Sequence, residues 1–289
     1  MLSLPAISVS RSIRQGLGAA PLPLRVLGLY ENACNLVATD GRVFALVSPN
    51  VGDGPLNIVV DAHLPHLPLP PAGAPASINS ARLCLGEIEV GLACADWDPC
   101  PDWESLRARY PVMRGHAPTL VRLARRLAPS RGLLALMEPD QPYTPDISRV
   151  LGAVRQALMD LLPGEIWTPS QVELAAFRTA GLGWGLTPSG DDWLAGLLTW
   201  AWLGHPHAQE VGSVVVRAAA PRTTTLSAAF LRSAAQGECD VAWQTFLTTA
   251  TSRRLSGLDT AMCAVLSHGE TSGADRLAGF LYGLGPFAK

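Results

Sequence analysis

The chain has 289 residues, 48% of them apolar and only 16% charged, enough to bury a core in one large domain or two ordinary ones. Twenty-two Lys and Arg against 24 Asp and Glu leave a net charge of −2, so no basic field draws nucleic acid or an anionic membrane, and both are disfavoured as partners. The opening Met1 to Ile7 is uncharged and broken by Pro5, with Arg11 and Arg14 following; no secretory signal or spanning helix is expected, and the cytoplasm is the expected compartment.

In chain order, the first third reads as β. Ala33 to Ser48 holds two apolar runs joined by Asp40-Gly41, a hairpin signal. Leu56 to Val60 is rich in β-branched residues, and Arg82 to Leu92 gives two short strands interrupted at Gly86. Between them, Pro65 to Pro75 is too proline-rich to pair centrally in a sheet. A small antiparallel barrel or sandwich over residues 1–100 is expected.

Near residue 100 the period changes from 2 to 3.6. Helical spacing runs through Asp102 to Tyr110, Pro118 to Leu127, Asp146 to Leu162 and Pro169 to Ala180, the last with a cap at Thr168 and a proline at the first helical position. From Asp191 onward, breaks at Gly204-His205-Pro206, Pro221, Gly237 and Ser256-Gly257 divide the chain into five more helical segments. The expected architecture is α+β, with the β-rich domain packed on an all-helical domain over residues 101–289. Ala-rich helices at Val211 to Ala220 and Ser227 to Ala235, with Trp200 and Trp202 nearby, are candidates either for the core or for a subunit interface.

Six irregularly spaced cysteines, without a C-x-x-C, read as reduced thiols in or near the core. His63, His66, His205 and His207 sit in proline-containing connections, where exposed turn residues are the ordinary explanation, so no structural metal is supported.

One decapeptide occurs twice. Ser189 to Leu198 and Ser272 to Leu281 match as S-G-x-D-x-L-A-G-x-L. In each, a Ser three residues ahead of an Asp reads as a capping box, so both segments start helices, and the Gly one turn further in admits a neighbouring backbone. The two helices are expected to cross at Gly196 and Gly279. Around the first copy, Gly181, Gly183, Gly185, Pro188 and Gly190 prescribe the loop geometry tightly, and Asp191 and Asp192 lie side by side at its end.

The run Gly181 to Gly196, with Leu226-Ser227-x-x-Phe230-Leu231-x-x-Ala234 and Gly269-Glu270-Thr271-Ser272-Gly273-Ala274-Asp275, resembles the AllH-like family, a domain of unknown function that includes one subunit of oxamate carbamoyltransferase. Trp193 stands where the family pattern has Phe, and Glu270 where it has His. The resemblance implies a part in moving a carbamoyl group between oxalurate and phosphate, giving oxamate and carbamoyl phosphate, in allantoin and purine breakdown. It also implies two other kinds of subunit, one similar to succinyl-CoA synthetase.

That chemistry asks for oxyanion donors, for which Thr187, Ser189 and the amides of Gly190 and Asp191 are candidates. It also asks for a phosphate cradle, for which Arg222, Thr223, Thr224 and Thr225 are candidates, although a helix cap explains Thr225 as well. Gly185, Ser227, Thr271, Ser272 and Gly273 complete the candidate substrate-binding set for a small anionic or carbamoyl-containing ligand. Among the acids, capping suffices for Asp192 and Asp275, which leaves Asp191 first in line for chemistry. His268 and Glu270 are either acid–base partners or turn residues. No nucleophile triad, P-loop or dinucleotide fingerprint is present, so no cofactor is expected and the isolated chain is expected to be inactive. Two other readings stay open: a Mg²⁺-dependent helical hydrolase using Asp191, Asp192 and Asp275, and a non-catalytic scaffold whose glycine loop docks a partner.

Overall fold

A computed structural model describes residues 2–128, 132–134, 145–161, 167–183 and 185–285. The chain divides into two compact units, Met1–Cys100 with Cys239–Val241, and Pro101–Glu238 with Ala242–Lys289.

In the first unit, β1 (Leu2–Ser10), β2 (Leu22–Leu29), β3 (Ala33–Ala38), β4 (Val43–Val47), β5 (Asn57–Val60), β6 (Pro75–Ile78), β7 (Arg82–Leu85) and β8 (Ile88–Gly91) form a closed barrel. Neighbours run β5-β4-β3-β2-β6-β7-β8-β1, and β1 returns to β5. A ninth strand, β9 (Ala95–Trp97), adds to β1 beside the short helix α1 (Arg11–Gln15). The hairpin at Asp40-Gly41 joins β3 to β4, with Gly41 at φ +82, and Gly86 at φ +58 turns β7 into β8. Both angles lie in the left-handed region that only glycine enters cheaply.

The barrel is not purely antiparallel. β4 runs parallel to β5, and β1 runs parallel to β8 and β9. Around a closed ring the reversals of direction must be even in number; the connection from β4 to β5 is a crossover rather than a hairpin, and the parallel β1–β8 pair balances it. Neither β1 nor β2 is signalled in the sequence, because Pro5 and Pro23 stand inside them. Those prolines sit in register with Gly91 and Ser77. The core gathers Leu36, Leu46, Ile58, Val60, Leu83 and Val90, all fully buried or nearly so.

The second unit is helical: α2 (Trp103–Ala108), α3 (Tyr110–Leu127), α4 (Pro145–Asp160), α5 (Pro169–Thr179), α6 (Ser189–Gly204), α7 (Ala208–Ala219), α8 (Thr225–Ala235), α9 (Val241–Ala250), α10 (Leu258–Leu266) and α11 (Ser272–Leu284). α5 starts as its sequence dictates: Thr168 accepts from the Gln171 amide while Gln171 accepts from the Thr168 amide at 2.9 Å. α3 begins at Tyr110 rather than Pro118, which lies inside it on an exposed face, where the loss of one ladder bond is softened by solvent. From residue 189 on there are six helices, not five, since Ser267 to Thr271 separates α10 from α11.

α6 is apolar almost all round, the mark of a central helix, and α11 is its partner. A Cβ built on Gly196 would lie 1.8 Å from the Arg276 carbonyl oxygen, and one on Gly279 would lie 2.0 Å from that of Trp193. These positions correspond in the repeat, so the helices cross as expected, about a local two-fold. The repeat extends outward: Gly190 presses on the Thr179 carbonyl at the end of α5, and Gly273 on that of Val265 in α10.

The Ala-rich helices α7 and α8 contribute to the core. Their apolar faces are buried within this chain, and Gly212 on α7 meets the backbone of Ala235. Trp200 is buried and donates to the Tyr110 hydroxyl at 2.9 Å. His205, expected as an exposed turn residue, is buried against Trp167, whereas His63 and His66 are exposed. None of the six cysteines is in a disulfide; Cys34 and Cys239 are buried, but Cys100 in its loop and Cys263 on α10 are exposed. No helix among the described residues is long and apolar enough to cross a membrane.

Candidate functional site

The repeated serines are not caps. α6 starts after Pro188 and α11 after Thr271, so Ser189 and Ser272 are already first helical residues, and neither helix has a side-chain cap bond. The reciprocal Ser–Asp pairing instead runs between the helices. Ser189 donates to Asp275 and Ser272 to Asp192, each copy serving the acid of the other. The glycine crossing makes this exchange possible, because it brings the two helix starts side by side.

Thr187, Ser189, Asp192, Thr271, Ser272 and Asp275 thus form one cluster. The Thr187 and Ser272 hydroxyls are 2.8 Å apart, and Thr187 also bonds Asp192. Asp275 is fully buried; its Oδ1 accepts the Leu133 amide at 2.6 Å, and Thr271 adds a further bond. Asp192 is half-buried as a residue, yet its Oδ2 is inaccessible; that oxygen and Oδ2 of Asp275 have no hydrogen-bond partner among the described residues. Burial drives both carboxyls upward, Asp275 to about 6 despite its donors. Asp192 is held well above the usual carboxylate range by burial, with the Asp275 charge adding to it and the nearby Arg276 opposing. Both carboxyls thus hold their protons to higher pH than a free carboxyl does.

Asp191, expected to be the acid left for chemistry, belongs to a second cluster. It accepts from the Gly181 amide at 3.0 Å, from the Thr223 hydroxyl and from the Ser227 hydroxyl at 2.9 Å, tying the glycine loop to the start of α8. Burial raises its carboxyl even so. The loop it anchors is fixed by three left-handed glycines, Gly181, Gly183 and Gly185 at φ +72, +115 and +89. A Cβ on Gly181 would meet the Arg222 carbonyl at 2.4 Å, while Gly185 is exposed with open space beside it.

Several expected donors are already committed. The Gly190 amide donates to Leu182 and the Asp191 amide to Pro188, both at 2.9 Å, so neither serves as an oxyanion donor in this conformation. Gly273 likewise donates to the His268 carbonyl. The cap of α8 is Thr224, not Thr225: it accepts the Ser227 amide at 3.0 Å and donates to the Leu186 carbonyl. With Thr223 bonded to Asp191, the phosphate cradle expected from this segment loses both central hydroxyls. Arg222 is exposed and stacks over the Phe177 ring at 3.8 Å. His268 keeps Nδ1 within 3.2 Å of the Val265 carbonyl oxygen, and Glu270 is exposed at the turn before α11.

The three acids do not converge on one point, and among the described residues no three His, Cys, Asp or Glu groups are placed to hold a metal. That removes the geometric basis of the Mg²⁺ reading. Two residues of the site are not among the expected ones: Leu133, whose backbone amide carries no sequence signal, and Arg276. The latter had a signal: it breaks the repeat at the place of Trp193, and its guanidinium lies over the Trp243 ring at 4.9 Å.

A family model described as oxamate carbamoyltransferase subunit AllH matches residues 179–284, from the last residue of α5 to the last of α11. Both acid clusters lie within that stretch, and the resemblance drawn from the motifs holds over it. No solved structure matches the chain.

Proposed function

From the match of residues 179–284 to the oxamate carbamoyltransferase subunit AllH family, we propose that this chain is one subunit of an oxamate-type carbamoyltransferase. It works with two other kinds of subunit, one succinyl-CoA-synthetase-like, in the cytoplasm and in allantoin nitrogen catabolism. In the reaction a phosphate oxygen attacks the carbamoyl carbon of oxalurate, the C–N bond to the oxamate nitrogen breaks, and that nitrogen takes up a proton; the products are oxamate and carbamoyl phosphate. The observation that supports a ligand site in this subunit is the cluster of Asp192 and Asp275, whose inner oxygens are buried and unpartnered within the matched stretch.

The hydroxyls of Thr223 and Thr224 are engaged inside the chain, which supports a phosphate site on the partner subunits. Reconstitution tests this. Phosphate-dependent cleavage of oxalurate is expected only when all three subunits are mixed, and robust carbamoyl transfer by the purified single chain would overturn the assignment. Within the complex, Asp275→Asn is expected to lower turnover about 100-fold, the scale of losing one positioned polar group at a reacting centre.

A further inference from the structure

After every internal bond is assigned, the two acids of the repeat remain half used. Asp275 commits Oδ1 to Leu133, and the hydroxyls of Ser189 and Ser272 serve one acid each, yet both Oδ2 atoms are buried without a donor among the described residues. A buried carboxyl oxygen left unpaired is destabilising, and here two occur, on acids near enough for the charge of one to act on the other. The backbone contacts at Gly196 and Gly279 hold the helix starts together, so the acids cannot separate to relieve the strain of like charges. The surroundings are half-buried hydroxyls, Thr187, Ser189, Thr271 and Ser272, with Gly185 and Leu186 exposed just beyond.

Two neighbouring acceptors of this kind repel phosphate and carboxylate. They match a group that presents two N–H donors from one nitrogen. Resting on the carbamoyltransferase reading, we infer that Asp192 and Asp275 together receive the NH₂ of a primary-amide ligand, the carbamoyl end of a ureido compound or the carboxamide of oxamate, one N–H to each Oδ2. No bond is made or broken in this step; it orients the amide group, and the ligand's carboxylate points away from the acids, past Thr187 and Ser272. Because burial raises both carboxyls, Asp275 to about 6, donors arriving at both oxygens favour the charged forms and displace a proton still held there. Binding therefore releases a proton and tightens as pH rises.

The test is isothermal titration of the full chain with oxamate and with oxalate, which replaces the NH₂ by oxygen and keeps the carboxylate. Oxamate is expected to bind at least ~10-fold more tightly than oxalate, to bind more tightly at pH 8 than at pH 5.5, and to release a proton, read by repeating the titration in buffers of different ionisation enthalpy. Asp192→Asn and Asp275→Asn are each expected to weaken oxamate binding about 10-fold or more. Equal binding of oxalate and oxamate, wild-type affinity in both variants, or Mg²⁺ displacing oxamate would overturn the inference. Should Asp275→Asn fail to fold, Asp192→Asn and the oxamate–oxalate contrast on the unaltered chain still decide. The two proposals fail separately: a reconstituted complex that turns over with an unchanged KM in Asp192→Asn refutes the receptor alone. Oxamate binding through the pair, with no turnover in any assembly, refutes the carbamoyltransferase assignment alone.

Discussion

The helix starts at Ser189 and Ser272 share a glycine pressed onto the preceding helix end, an aspartate bonded to the opposite serine, and a glycine at the crossing. They differ at three points. Asp191 of the first copy corresponds to Ala274 of the second, Trp193 corresponds to Arg276, and the three-glycine loop before α6 corresponds to a short turn before α11. What the two copies hold in common is what two backbones need in order to touch and to exchange a serine for an aspartate. What they do not share is placed around that contact. Asp191 locks the long loop to α8, and Arg276 biases Asp192 toward its charged form. The duplicated features build the crossing, and the unique ones make its two ends chemically unequal.

The shared half of this comparison carries the largest expected effect. Alanine is the better helix former, so at an open position Gly196→Ala or Gly279→Ala would gain nearly 1 kcal/mol. Here the new methyl group meets a carbonyl, and each variant is expected to lose about 3 kcal/mol or more in urea denaturation. A rise in stability in either would show that the crossing is not as tight as described.

Next comes pH. Asp275 keeps its proton up to about 6 in the fold, whereas in the unfolded chain it ionises near 3.8. The folded form thus holds a proton that the unfolded form has lost. This contribution is fully present below about pH 4 and is lost as pH rises through 6, with a difference on the order of 3 kcal/mol by neutrality. Asp191 and Asp192 push in the same direction. The urea midpoint is expected to fall between pH 5 and pH 7.5, and less steeply in Asp275→Asn.

Two smaller effects probe the unshared half. Asp191→Ala leaves the Gly181 amide and the Thr223 and Ser227 hydroxyls without their acceptor, and a loss of about 2 kcal/mol is expected, with faster amide exchange at Gly181 as the local readout. Gly185→Ala meets no atom and bears only the left-handed backbone, so about 1 kcal/mol is expected. Gly183→Ala should exceed it, since its methyl group would lie 2.7 Å from the Ser189 nitrogen.

The helical half and its crossing were legible because both rest on local pattern: period 3.6, a capping box at Thr168, and small residues at matching places in a repeat. The direction of the Ser–Asp bonds was not. Spacing of three within a helix start is the same whether the acid folds back or reaches across, and only the approach of a second helix decides. For the same reason the roles of the acids were exchanged. In the sequence Asp191 stands spare because its partners, Gly181, Thr223 and Ser227, lie 10 to 36 residues away, and Asp192 and Asp275 read as spent on caps that do not form. In the barrel, the Asp40-Gly41 hairpin was visible, but β1 and β2 were hidden by Pro5 and Pro23, whose tolerance depends on register with strands far along the chain.

The position of β1 in the ring has a consequence for the order of assembly. β1 pairs with β5, β8 and β9, so during synthesis its partners arrive as much as some ninety residues after it. Even then this unit is three residues short, because Cys239 and Val241 give their amides to Pro99 and Asp53. Its closure is dominated by distant contacts, which favours slow folding and leaves β1 as an open edge during synthesis. A chain of this design completes its first unit only after most of the second has been made.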